Sequence, residues 1–262
     1  MSLDPPVLID RVSSDRRDLV LNRGATRNAL SGALVDGLLI ALHEAEIDGV
    51  RLVVLRSCTR VFSSGFDLGS LEHENDASLL LRFARIGLLL EQISRAPFFT
   101  VAVMEGAAVG AGADVALACD HRIGTPHASF RFPGAGFGVV LGTLRLTGLV
   151  GESEALRLVS TNATLPCAEA AGLGVVRMVP NNSDIEALVT ELQTGIEALS
   201  ADTARDLCEA ARHLDYARAL ADLVRSIAGR PGIKDRIAAF AASARPQPPK
   251  PDDVPTAPKP TF

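Results

Sequence analysis

The sequence predicts an α/β protein with parallel strand pairing, and two observations carry that expectation. Short apolar runs alternate with runs of helical period along the chain. Glycine and other small residues also sit at the junctions where strand pattern gives way to helix pattern. A length of 262 residues suits one large domain that buries most of its apolar surface. Periodicity does not separate a doubly wound sheet from a spiral of β-β-α turns.

In chain order, "VLIDRV" and "DLVLNR" predict a hairpin, and "LSGALVDGLLIALHEAEID" predicts a helix with Leu34, Leu38 and Leu42 on one face. "RLVVLR" returns to strand. "DASLLLRFARIGLLLEQIS" then reads as a helix stopped before Pro97, "FTVAVM" as a buried strand, and "GAGADVALACD" as a short helix after a glycine-rich turn. "HRIGT" resumes the sheet. "SDIE" at 183–186 has the form of a capping box opening a helix through Leu188, Leu192, Ile196 and Leu199, and further helical pattern runs from Asp202 to Ser226. The organisation expected is a core over 1–200, a helical region over 201–245 and a mobile tail over 246–262. That tail, "PQPPKPDDVPTAPKPTF", holds seven of the fifteen prolines and almost no apolar residue, so it is excluded from the fold.

The formal net charge of −5 provides no basic field for nucleic acid. Four cysteines, Cys58, Cys119, Cys167 and Cys208, lie far apart without a CxxC pair, which disfavours both a zinc cage and a disulfide framework. His43, His73, His121, His127 and His213 have no metal-binding spacing either. The start "MSLDPPVLID" lacks a leader pattern, and no apolar run approaches the roughly 18 residues of a membrane span. A soluble cytoplasmic protein without a membrane or nucleic-acid partner is expected.

Two glycine-rich junctions, "VFSSGFDL" (61–68) and "EGAAVGAGADVALACD" (105–120), bear on chemistry. Small residues let a ligand approach the backbone, and free amides at each junction could aim at one developing oxyanion. The same spacing fits two plain tight turns, and spacing alone does not choose between them.

These segments resemble the crotonase, or enoyl-CoA hydratase/isomerase, superfamily over roughly residues 5–245. "RGATRNALS" is similar to the family's "RP…NALs", "VFSSGFDL" to "FcaGaDl", and "GAAVGAGADVALACDHRI" to "GyalGGGcelalacDiri". "FRFPGAGFGVV", "GTLRLTGLVG" and "AAGLGVVRMV" follow in the family's order. The resemblance implies a β-β-α superhelix, a C-terminal helical region that helps close the site, and homotrimers that often pair into hexamers. It implies coenzyme A as the substrate thioester, with no permanently bound cofactor and no metal. By the same resemblance, the Phe66 and Ala111 amides form the oxyanion hole, Ala111 standing where the family has glycine. Arg27, Ala29, Ser64, Phe66, Asp67, Leu68 and Ala111 are its candidates for contacts with the thioester and the CoA chain. Asp67 also reads as a local cap, and Arg27 as an ordinary surface arginine.

Hydration of an enoyl thioester needs one group to activate water and another to protonate the α-carbon. The matching positions here are Asp114, a shortened carboxylate, and Gly134, where the second is missing. An aspartate at the first position resembles the dienoyl-CoA isomerase branch, in which a single base can shuttle a proton. Asp114 also fits a helix-start aspartate satisfied by local amides. Glu105 and Asp120 read as structural. Two functions follow: an enzyme that stabilises a thioester enolate with Asp114 as its proton-transfer residue, or a non-catalytic acyl-CoA-binding protein. A dinucleotide-binding dehydrogenase lacks its third glycine, and a serine hydrolase using Ser63 or Ser64 lacks a nucleophile elbow.

Overall fold

The computed structural model describes residues 5–212 and 215–243; the proline-rich segment lies outside the described residues. The chain opens with β1 (Val7–Asp10) and β2 (Arg16–Leu21), paired antiparallel with Val7 opposite Leu21. Helix α1 (Gly32–Ile47) follows, its first turn capped by the Ser31 hydroxyl, which accepts from the Leu34 amide. Then come β3 (Leu52–Ser57), α2 (Asp76–Ser94), β4 (Phe99–Met104), β5 (Ala107–Val109), α3 (Ala111–Ala118), β6 (His121–Gly124) and β7 (Ser129–Arg131). α4 (Thr143–Val150), α5 (Glu152–Thr161), β8 (Leu165–Pro166), α6 (Cys167–Gly172) and β9 (Arg177–Met178) complete the spiral.

Six strands form one sheet in the order β1-β2-β3-β4-β6-β9, and every pair after the first hairpin is parallel. Alternation along β3 and β4 divides the core. Leu52, Val54, Val101 and Val103 point to one face, and Val53, Leu55, Ala102 and Met104 to the other. Both faces are covered, which is why these strands read as continuous apolar runs.

The second strand of each spiral turn is shorter. β5, β7 and β8 form a three-stranded sheet, which isolated bridges extend: Ser63 pairs with Ala108, and Leu30 with Phe66. Thus each of β2, β3, β4 and β6 leads to a short inner segment and then to a helix. Three-residue strands carry no legible period, so this inner layer escaped the sequence reading.

After β9 the chain is helical: α7 (Asn182–Glu197), α8 (Ala201–Ala211), α9 (Tyr216–Ala228) and α10 (Ile233–Ser243). The α7 start corrects the expected capping box at 183–186. Asn181 is the cap, its side chain accepting from the Asp184 amide, and Ser183 lies inside the first turn. The helical pattern expected from Asp202 to Ser226 is present as two helices, α8 and α9. Arg212 leaves the α8 axis to donate to Asp120 and to the Phe98 carbonyl, anchoring the break to the core.

Helix α7 covers the sheet through Ile185, Leu188, Val189 and Ile196. α9 and α10 pack on α2 instead, where Leu223, Ile227, Ile233 and Ile237 meet Leu79 and Phe83. Polar ties hold α10, among them the Lys234 ammonium, which donates to the Glu72 carbonyl. The Asp76 carboxylate accepts from the Gly232 and Lys234 amides, and Arg236 donates to the Phe137 carbonyl.

Candidate active site

The site begins with a backbone turn that the sequence makes unusual. Arg27 and Asn28 both adopt left-handed conformations, with φ of 53° and 52°. Asn28 is fully buried, and its amide nitrogen donates to the Ser57 hydroxyl and to the Val61 and Phe62 carbonyls. The Ser63 hydroxyl donates to the Asn28 carbonyl and accepts from the Gly65 amide. These bonds fix the chain from 61 to 65. Asparagine suits the position because it tolerates φ > 0 and supplies the amide donors. It is a positioning residue that the sequence reading passed over in favour of its neighbours Arg27 and Ala29.

Gly65 has φ +86°, and a Cβ there would collide with the Val109 carbonyl while lying 3.4 Å from the Ala111 nitrogen. The two glycine-rich junctions therefore meet in space. Gly110 takes the positive φ at the second junction, 53°, which leaves Ala111 outside the left-handed region and explains why alanine is tolerated. Phe66 follows directly on Gly65, and Ala111 is the first residue of α3. Among the described residues no backbone carbonyl accepts from either N–H. Both residues line a cavity of about 240 Å³.

Asp114, one turn into α3, borders the same cavity and is 6% exposed. No hydrogen bond from the described residues reaches its carboxyl, so it is not satisfied by local amides. It packs against Gly142, where a Cβ would overlap the carboxyl oxygen. Burial pushes its pKa up to about 7, opposed by the charge of Arg145 on α4. Gly142 and Arg145 both lie in "GTLRL", but only the folded chain shows what they face.

The other expected residues divide. Ser64 and Leu68 line the cavity with Phe66 and Ala111. Arg27, Ala29 and Asp67 lie outside its lining. Arg27 is exposed and contributes its carbonyl to the Ser64 amide. Ala29 is buried and accepts from Arg23. Asp67 acts as the cap the sequence suggests, accepting from the Gly69 amide at 2.9 Å and pairing with Arg23 at 2.8 Å. Burial opposes its charge, yet the Gly69 and Arg23 donors hold its carboxyl below the usual range. Asp120 accepts from Thr100 and Arg212, and Glu105 from Asn182; neither lines the cavity.

Gly134 lines the cavity, with its would-be Cβ 3.0 Å from the Val139 carbonyl. Asp114 is therefore the one carboxyl among the described lining residues. The other charged lining group, Arg131, is exposed and donates to the Asn162 side chain. Apart from Ser64 and Thr143, the remaining wall is apolar. Phe66 stacks on Phe83 with centroids 4.2 Å apart, while Arg82 covers the Phe66 ring. From the C-terminal helices, Ile237 and Phe240 of α10 reach the cavity, whereas Tyr216 and Arg212 do not.

Residues 18–223 match the sequence model of the enoyl-CoA hydratase/isomerase family. The chain belongs to that family. Its fold is that of a Bordetella parapertussis crystal structure named for the enoyl-CoA hydratase/isomerases, with a TM-score of 0.88 and 35% identity over 93% of this chain and all of that one. Among curated relatives, enoyl-CoA hydratase domain-containing protein 2, mitochondrial, from Bos taurus is 36% identical over 169 residues, 61% of this chain and 55% of that protein. Human ethylmalonyl-CoA decarboxylase is 33% identical over 183 residues, 67% of this chain and 59% of that protein. The matched segments thus span less than two thirds of either relative. The crotonase assignment made from the ordered motifs agrees with these findings.

Proposed function

We propose that this crotonase-family protein binds an acyl-CoA thioester and catalyses proton transfer through its enolate. The observation that carries the reading is the meeting of two amides, Phe66 and Ala111, beside a buried carboxyl, all three without a hydrogen-bond partner among the described residues, around one cavity. In this reading the thioester carbonyl accepts from both N–H groups, and the developing oxyanion is stabilised by donors already in place. Asp114, when ionised, takes a proton from the α- or γ-carbon and returns it elsewhere along the same face. With Gly134 in place of a second carboxylate, no side chain of the described lining is left to activate water while Asp114 moves the proton. Double-bond isomerisation is therefore favoured over hydration.

A second reaction is favoured by the relatives named as decarboxylases and by the near-neutral pKa of Asp114. In a 2-carboxyacyl thioester the bond to the carboxylate would break, CO2 would leave, and the electron pair would form the same enolate. Protonated Asp114 would then deliver its proton to the α-carbon. Both reactions use one oxyanion site and one carboxyl, and differ in which form of Asp114 starts the cycle.

The deciding experiment titrates crotonyl-CoA, a longer enoyl-CoA and a 2-carboxyacyl-CoA by calorimetry, then follows each in deuterated buffer for double-bond migration, hydration, CO2 release and deuterium uptake. Binding with Asp114-dependent uptake is expected. Binding without chemistry would make the protein an acyl-CoA carrier, and absence of binding would overturn the thioester reading.

A further inference from the structure

Five of the chain's ten phenylalanines, Phe66, Phe83, Phe132, Phe137 and Phe240, line the one cavity, in a protein with no tryptophan and a single tyrosine. They come from separate places in the chain: the first glycine-rich junction, α2, the residue after β7, the turn that ends at Gly138, and α10. The fold gathers them. The other buried rings, Phe62, Phe98 and Phe130, lie in the main core among aliphatic side chains.

The rings of the lining are held in defined orientations. Phe83 stacks on Phe66 with centroids 4.2 Å apart and 13° between the planes, and the Arg82 guanidinium lies 4.2 Å from the centroid of the same Phe66 ring. These two neighbours take the two faces of Phe66, so its edge is left for the cavity. Phe137 and Phe240 meet edge to face, with centroids 5.3 Å apart and 61° between the planes. Phe240 lies against Gly136, where a Cβ would come 2.6 Å from the ring, and α10 is pinned where the Asp76 carboxylate accepts from the Gly232 and Lys234 amides. An aromatic edge is partly positive and a face partly negative, so an edge fixed in a wall attracts the face of another ring and gains nothing equivalent from a methylene chain. Size agrees with this. An apolar cavity of about 150 Å³ is enough for benzene, and this one, at about 240 Å³, has room for a ring together with the thioester carbonyl and the carbons beside it.

We propose that the acyl group carried into this cavity is aromatic, an aryl-substituted alkenoyl thioester, and that Phe66, Phe137 and Phe240 select it over straight chains. The inference rests on the reading that the Phe66 and Ala111 amides receive the thioester carbonyl, and it names the acyl class for that reading. The donor N–H and the ring edge belong to the same residue, so a carbonyl held on the Phe66 amide leaves its acyl carbons close to the Phe66 ring. In a β,γ-unsaturated substrate the α C–H bond breaks, its proton passes to the Asp114 carboxylate, and its electron pair forms the enolate. Delivery of that proton to the γ-carbon moves the double bond to the α,β position, with nothing oxidised or reduced. An aryl group on the γ-carbon stays against the phenylalanine wall throughout.

The test compares three CoA thioesters of equal carbon count on the full chain, by calorimetry and by deuterium uptake: 4-phenylbut-3-enoyl, 4-cyclohexylbut-3-enoyl and straight-chain dec-3-enoyl. The phenyl thioester is expected to bind about tenfold more tightly than either of the others. Cyclohexyl has nearly the bulk of phenyl without an aromatic face, so equal binding of these two overturns the proposal, as does a preference for the straight chain. In Phe240→Leu the phenyl-over-cyclohexyl ratio should fall several-fold, and Phe137→Leu gives the same readout should that variant not fold. A ratio unchanged in the folded variant overturns the selection by these rings. Phenyl selectivity without deuterium uptake would overturn the proton-transfer reading and leave the aromatic acyl class standing. Equal binding of all three would do the reverse, and binding of none would remove the thioester reading and this inference together.

Discussion

The segments around Asp67 and Asp114 are built alike and end in opposite chemistry. Each follows a glycine at positive φ, Gly65 or Gly110, and each offers an amide, on Phe66 or Ala111, without a backbone acceptor among the described residues. Each then places an aspartate a few residues on. Asp67 finds the Gly69 amide and Arg23, and is held ionised. Asp114 finds the Gly142 backbone and an apolar wall, and is pushed toward neutrality. A repeated backbone device can thus supply two equivalent donors, while the surroundings of the two carboxyls decide which one titrates in the working range.

Breaking the catalytic side of this comparison should have the largest effect. Asp114→Asn is expected to lower deuterium exchange at the acyl carbons by about 10²–10⁴-fold while thioester binding persists. Exchange at the wild-type rate in this variant would make Asp114 structural. Next, Ala111→Pro deletes one of the two amides proposed as oxyanion donors, at the first position of a helix where proline fits, and should cost about 10²–10³-fold in kcat with the fold retained. Unchanged kcat in a folded variant would place the second donor elsewhere.

Stability sharpens the comparison with opposite signs. The raised pKa of Asp114 means that its ionisation opposes folding: its favourable neutral contribution is complete below about pH 4 and is lost as pH rises through about 7. Asp114→Asn should therefore unfold at a higher temperature than wild type at pH 8, by a margin worth up to a few kcal/mol that shrinks on acidification. Asp67 behaves the other way, because its lowered pKa contributes stability above the unfolded value near 4 and loses it as pH falls further. Asp67→Asn should cost about 1 kcal/mol at pH 7, with the difference fading below pH 4, and should leave kcat nearly unchanged. Thermal melts of the two variants and wild type across pH 3–8 read both effects; parallel curves would show that the two carboxyls share one environment.

Much of this arrangement was legible in the residues. The apolar runs at 52–56 and 99–104 predict strands covered on both faces, and the structure places them there. The 76–94 pattern predicts α2 within its observed bounds. The order of the motifs identifies the family, and by that resemblance Gly134 stands where a second carboxylate is expected. These are local facts: period, turn chemistry and residue type are all read within a few positions of the chain.

Only tertiary structure decided the rest. The inner strand layer is made of three-residue segments and single bridges, too short to show a period. Arg212, at the end of α8, is tied to Asp120, 92 residues away in sequence. The contact of Gly65 with Ala111 and the passing of Asp114 against Gly142 join segments that no local rule relates. Sequence sets which groups are present and which local conformations they prefer. Whether a carboxyl meets an amide, an arginine or an apolar wall depends on which distant segments the packed core brings beside it, and that environment fixes its charge.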